Sequence, residues 1–102
     1  MATGLQTVLG AVENDQLVGV AVITHDGRKG WINRLGVVPE RQRQGIASKL
    51  IRAAEDLIHE KGLTIVAALV VHDNEASLAL FQREGFKIDH AYYLTKRDRP
   101  DA

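Results

Sequence analysis

Cysteine is absent from the 102-residue chain. That excludes disulfides, thiolate metal ligands and a cysteine nucleophile, and it suits a reducing, cytoplasmic setting. Net charge is absent as well, because 13 Lys+Arg balance 13 Asp+Glu. A dedicated binder of nucleic acid or of a membrane surface carries a basic excess, so neither partner is expected. Aromatic residues make up only 5% of the chain, which also argues against base stacking. No apolar run reaches the roughly 18 residues of a membrane span. The start, Met1-Ala2-Thr3-Gly4-Leu5, lacks the basic region of a signal peptide. The four histidines (His25, His59, His72 and His90) have no metal-ligand spacing, so no metal is expected.

What the chain has is a core. Leu, Val, Ile and Phe account for 30 of the 102 residues, well above the level at which disorder is the default. The length fits one domain, expected over residues 1–96, with a charged, disordered tail at 97–102. The first third reads as strands at Leu5–Val12, Leu17–Thr24 and Trp31–Val38. Asp26-Gly27 supplies a hairpin signal, since a type I′ turn needs positive φ, and Pro39 ends the third strand. The hydrophobic period then changes to 3.6, with Ile46, Leu50, Ala54, Leu57 and Ile58 on one stripe and Gly62 as the stop. Leu63–Val71 reads as a buried strand. Asp73 and Asn74 offer N-caps for a second helix that ends at Gly85, and Phe86–Lys96 alternates as a last strand. The order β-β-β-α-β-α-β is that of an α+β fold, a mixed α/β sandwich with helices packed on a sheet.

The segment Val37-Val38-Pro39-Glu40-Arg41-Gln42-Arg43-Gln44-Gly45-Ile46-Ala47-Ser48-Lys49-Leu50 runs from a strand through a basic turn into a helix. A helix start presents backbone N–H groups and a partial positive charge to one spot. Gly45 lets a ligand approach the backbone, and Arg41, Arg43 and Lys49 add full charge. These features suit a phosphate or pyrophosphate. They also suit a plain basic surface turn, and neither G-x-x-x-x-G-K-[ST] nor G-x-G-x-x-G is present.

Gln42-Arg43-Gln44-Gly45-Ile46-Ala47 resembles the [RQ]-x-x-G-x-[GA] pattern of the GNAT superfamily of acyl-CoA-dependent N-acyltransferases, with Arg34–Glu40 and Leu50 in register. Asn74-Glu75-Ala76 through Gly85-Phe86 is similar to a second element of that family. The resemblance covers residues 17–96. It implies two central strands splayed into a V, here Trp31–Val38 and Leu63–Val71. It also implies acetyl-CoA or another acyl-CoA as co-substrate, direct attack by an amine, and no covalent enzyme intermediate. The cofactor contacts it implies are Val37, Val38, Gln42, Arg43, Gln44, Gly45, Ile46, Ala47, Ser48, Asn74 and Phe81. The Val37 backbone N–H is implied as the oxyanion donor.

Two departures from the family pattern stand out. Many relatives carry a carboxylate base on the third strand, where this chain has Asn33 and Arg34. Glu13, His25, Asp26 and His72 are the substitutes, each with a structural role as the alternative. Many relatives have a Tyr four residues before the Gly-Phe pair that protonates the leaving thiolate. The residue there is Phe81, suited to packing, and Tyr93 or Tyr92 is left as the acid. The resemblance implies N-acetyl transfer to a small-molecule or peptide amine; a non-catalytic acyl-CoA-binding or interaction module is the alternative. Relatives place a further strand and helices before the segment that begins here near Leu5. The chain reads as a short form of the family, and the uncovered apolar surface points to a homodimer.

Overall fold

In the computed structural model, residues 6–70, 74–89, 94 and 96 are described. Strands β1 (Gln6–Glu13), β2 (Gln16–His25) and β3 (Lys29–Val37) form an antiparallel meander. The β1–β2 loop is Asn14-Asp15, with φ of 52° and 64°. Two positive φ values in a two-residue loop match the twist of the flanking strands. Type I′ chemistry therefore sits here and not at Asp26-Gly27, where Gly27 alone is left-handed. The second hairpin is held by the Asp26 side chain, which accepts the N–H groups of Arg28 and Lys29 at 2.9 and 2.8 Å.

A single 3-10 turn at Pro39–Arg41 leads to helix α1 (Ile46–Glu60), then to strand β4 (Ile65–Ala68) and helix α2 (Glu75–Arg83). The sheet order is β1-β2-β3-β4, with β4 parallel to β3. The α+β architecture is thus the expected one. Both helices lie on one face of the sheet. Ile51, Ala54 and Ile58 of α1 and Phe81 of α2 share one buried cluster with Ile23 and Ile32. Ile51 and Ile58 are fully buried, and each contributes about 1.5–3 kcal/mol. No helix among the described residues is long and apolar enough to cross a membrane.

One irregularity governs the sheet. Ile23 pairs with Ile32 while Val22 pairs with Arg34, so Asn33 has no partner on β2. An extra residue of this kind bends a strand and shifts its side-chain phase. Before it, Gly30 and Ile32 face the helices; after it, Leu35 does. Pairing with β4 runs from Lys29↔Ile65 to Ile32↔Ala68 and stops at the bulge. Of the expected strand Leu63–Val71, Ile65–Ala68 pair and Leu69 and Val70 do not, because β3 bends away; Val71 lies outside the described residues. Phe86–Asp89 form no ladder with another described residue. Phe86 N–H closes on Phe81 O at 3.0 Å, and the two rings meet edge to face at 5.1 Å. Those contacts commit Phe86 to ending α2. The rest of the expected last strand, save Leu94 and Lys96, lies outside the described residues, as do Leu5 and the tail at 97–102.

Gly30 sets the distance between sheet and helix. A Cβ there meets Ile58 Cγ1 at 2.4 Å. Gly30→Ala is expected to lower the unfolding free energy by about 1–3 kcal/mol. Gly36→Ala, whose Cβ meets nothing within 4 Å, is expected to stay within about 0.5 kcal/mol of the parent. Urea unfolding of both variants checks this.

Candidate functional site

Beyond Asn33 the sheet is split, and a cleft runs through the split. Its inner part encloses about 450 Å³ between Ile32–Gly36 of β3, Leu69 and Val70 after β4, and Asn74, Ser77 and Phe81 of the α2 region. Its outer part, about 580 Å³, is bordered by Leu35–Val37, the turn residues Arg41–Arg43 and Gly45, Ala47 and Ser48 of α1, and one side of α2. Leu35, Gly36, Asn74 and Ser77 border both parts, so the two form one groove.

The end of β3 is shaped by three hydrogen bonds. Val38 N–H donates to Val18 O at 2.9 Å, and Val38 O accepts from Arg41 N–H at 2.9 Å. Val38 is thereby committed to the sheet and the turn. Successive amides on a strand point to opposite sides. The Val37 N–H and C=O therefore point away from β2, toward the side β4 has left. The Val37 carbonyl accepts from Gln42 Nε2 at 3.1 Å. The Gln42 side chain thus ties the strand end to the turn.

The turn itself is left-handed at Arg43 (φ 67°) and Gly45 (φ 82°). Gly45 takes this conformation at no steric cost, whereas a side chain at Arg43 costs about 1–2 kcal/mol. Gly45 is the N-cap of α1, and no side chain caps the helix there. Lys49 N–H donates to Gly45 O at 3.1 Å as the first helical bond. The preceding amides belong to the part of a helix that has no partner within it. The first turn of α1 holds no acidic residue, so no carboxylate of that turn competes with an anion for these amides.

Charge around the groove is one-sided. Arg34 borders its inner part, and Arg41, Arg43 and Arg83 border its outer part. No Asp or Glu is among the described residues that border it. Arg41 has a carboxylate partner in hand, the Glu13 side chain at the end of β1. A second ion pair, Arg52–Glu84 at 3.0 Å, fastens α1 to α2. The Arg52 guanidinium holds the Glu84 carboxyl below its ordinary range. With Arg52 67% exposed, solvent screens the pair and its contribution to stability is small.

The expected contacts divide accordingly. Val37, Gln42, Arg43, Gly45, Ala47, Ser48, Asn74 and Phe81 border the groove. Val38, Gln44 and Ile46 do not. Asn74 caps α2, its Oδ1 accepting Ser77 N–H at 3.1 Å, which leaves its Nδ2 as a donor. Phe81 is 7% exposed and joins the core as well as the inner groove. Of the candidate bases, Glu13 is paired with Arg41 and Asp26 belongs to the hairpin. His72, Tyr92 and Tyr93 lie outside the described residues. Sequence reasoning missed Ser77 and Arg83. Ala76, Ala79, Leu80 and Arg83 recur at helical spacing and border the groove, so that period was the available signal.

The sequence matches the model of the acetyltransferase (GNAT) family over residues 2–86. N-alpha-acetyltransferase 30 of Schizosaccharomyces pombe is 32% identical over 96 aligned residues, which cover 86% of this chain and 64% of the relative. The chain thus spans less than two thirds of that relative's length. A solved aminoglycoside N-acetyltransferase, AAC(6')-Iy in complex with CoA, superposes with a TM-score of 0.84 at 19% identity, covering 93% of this chain and 78% of the other. The PaiA N-acetyltransferase of Thermoplasma acidophilum in complex with coenzyme A superposes at 0.81 and 24% identity, covering 85% and 55%. At such identities the likeness is one of fold.

The Asp26 carboxylate has a consequence for acid stability. Backbone N–H donors from Lys29 and Arg28, with the Trp31 indole N–H at 3.3 Å, lower it to about 2. Its folded value lies below its unfolded one, so its contribution is present above about pH 4 and is lost as pH falls through 2. A carboxyl-detected NMR titration is expected to give a midpoint near 2 for Asp26. A midpoint near 4 would place the carboxylate outside the turn.

Proposed function

Since the chain belongs to the acetyltransferase (GNAT) family, we propose that it moves an acetyl group from acetyl-CoA to a primary amine, an α-amino group, by direct attack. The observation that carries this reading is the split after Asn33, which opens beside a cation-rich turn at a helix start. The groove suits an acyl-CoA: it is open, bordered by apolar residues along its inner part and by arginines at the turn, and free of acidic residues among those described. The amides of Arg43, Gly45 and Ala47, with the Arg43 guanidinium, suit the pyrophosphate. The Val37 backbone, at the unpaired side of β3, suits the pantetheine arm and the developing oxyanion. The Asn74 amide and the Ser48 hydroxyl add polar contacts on the two helices.

The reaction on this reading forms a C–N bond and breaks the thioester C–S bond. The amine gives up one proton, and the thiolate leaves and takes one up from water. An α-amine, with a pKa of about 8, is neutral far more often at pH 7 than a lysine side chain at about 10.4. That difference lightens the demand for a base, and no carboxylate stands on β3. The α-amino specificity carried in the name of the fission-yeast relative agrees with it.

A homodimer fits the same reading. Among the described residues strand β1 is at a sheet edge, and Val8 and Val12 on it are exposed beside Leu17. An open edge with apolar residues favours pairing with another strand. Sedimentation at micromolar concentration is expected to give twice the chain mass, and a monomer mass refutes the dimer.

Calorimetry with acetyl-CoA and thiol release on a panel of amines test the reaction itself. Binding with release supports it, and no binding ends it. Binding without release on any amine leaves a binding module. Gly45→Asp adds a carboxylate at the helix start and a side chain at φ 82°. It is expected to weaken acetyl-CoA binding by at least about tenfold, the effect of about 1.4 kcal/mol of like-charge repulsion. Unchanged affinity would remove the pyrophosphate from this turn.

A further inference from the structure

The groove passes through the sheet, and arginines border both of its parts. On the helix side lie Leu35, packed against the core, and the turn with its amides. The bulge at Asn33 shifts the side-chain phase, so Arg34 and Gly36 turn to the face without helices. Arg34 pairs in register with Val22, and both it and its neighbour Asn33 are exposed. Asn33 Nδ2 is held by Thr24 Oγ1 at 2.7 Å. Arg34 is therefore the charged side chain at the mouth of the inner groove on this face. Among the described residues that border the inner groove, no other residue is ionisable.

We propose that Arg34 determines the acceptor class: a primary α-amine carried next to a carboxylate, and not a polycationic amine. This rests on the acetyl-transfer reading given above. A guanidinium is charged at every relevant pH and cannot take the proton as a base. It acts through its field and its fork of donors. A carboxylate beside the amine meets that fork bidentately, which fixes the amine's orientation. A second ammonium on the acceptor is repelled at the same place. The field also disfavours the protonated form of a nearby amine, so it helps an acceptor reach the neutral state where no carboxylate is among the described residues that border the groove. The adjoining carboxylate can be an acidic side chain of a peptide N-terminus or the carboxylate of a free amino acid.

The test uses the full chain, saturating acetyl-CoA and four acceptors at one pH. They are a peptide with Asp after its first residue, the same peptide with Lys there, a free amino acid, and spermidine. The expected order in kcat/KM puts the Asp peptide or the amino acid first, by at least about tenfold over the Lys peptide and spermidine. Which of the first two leads identifies the source of the carboxylate. Arg34→Glu is expected to invert the order, and Arg34→Lys to keep it. An order unchanged by Arg34→Glu, or a parent enzyme that prefers spermidine, overturns the proposal. Calorimetry with acetyl-CoA on each variant separates this from failure of the underlying reading. If acetyl-CoA binds but no thiol is released, the ranking is read from acceptor binding to the CoA complex, and absence of acceptor binding there also overturns it.

Discussion

One unpaired residue, Asn33, organises the molecule. Without it β3 would lack this bend, and its ladder with β4 could run on past Ala68. With it, β3 bends after Ile32 and the ladder to β4 stops at Ala68. The same residue shifts the strand's phase, so that Leu35 joins the core while Arg34 faces away from the helices. Groove, exposed strand backbone and charge at the mouth all follow from one extra residue. The fold tolerates the gap because the two helices share a core on one side and are fastened by Arg52 and Glu84.

The turn that follows is built to stay open. Its ends are anchored: Val38 bonds to Val18 on one side and to Arg41 on the other, and Gln42 holds the Val37 carbonyl. Between the anchors, Arg43 and Gly45 take left-handed conformations that keep the chain from continuing the helix backward. The backbone amides at the start of α1 are left facing outward by the geometry of a helix start. Rigidity at both ends supports the left-handed residues between them.

Much of this was legible in the sequence. The 3.6 period fixed α1, and Gly62, left-handed at φ 83°, ends it as its position suggested. Gln42-Arg43-Gln44-Gly45-Ile46-Ala47 pointed to the turn that the groove borders. The bulge was not legible. Asn33 and Arg34 look like ordinary strand residues, and register depends on partners that are distant in sequence. For the same reason β4 read too long: Leu69 and Val70 continue the apolar run but line the groove instead of a ladder. Asp26-Gly27 carried the stronger local turn signal, yet the tandem left-handed turn is Asn14-Asp15, because the Asp26 carboxylate offers its loop another way to close. The commitments of Val38 and Gln42 depend on contacts that no short motif records.

The described core is one-sided. Ile23, Ile32, Ile51, Ala54, Ile58 and Phe81 are buried between sheet and helices, while Thr24, Asn33 and Arg34 face the other way. The plane of the sheet therefore separates the residues that hold the fold and the turn from those at the mouth. Substitutions on the second set remove no buried contact and cost little stability. A lineage carrying this architecture can drift in what enters from that face while keeping the opposite half intact. Evolvability is built into the layering, and the pleat of a single strand draws the boundary between what is free to vary and what is not.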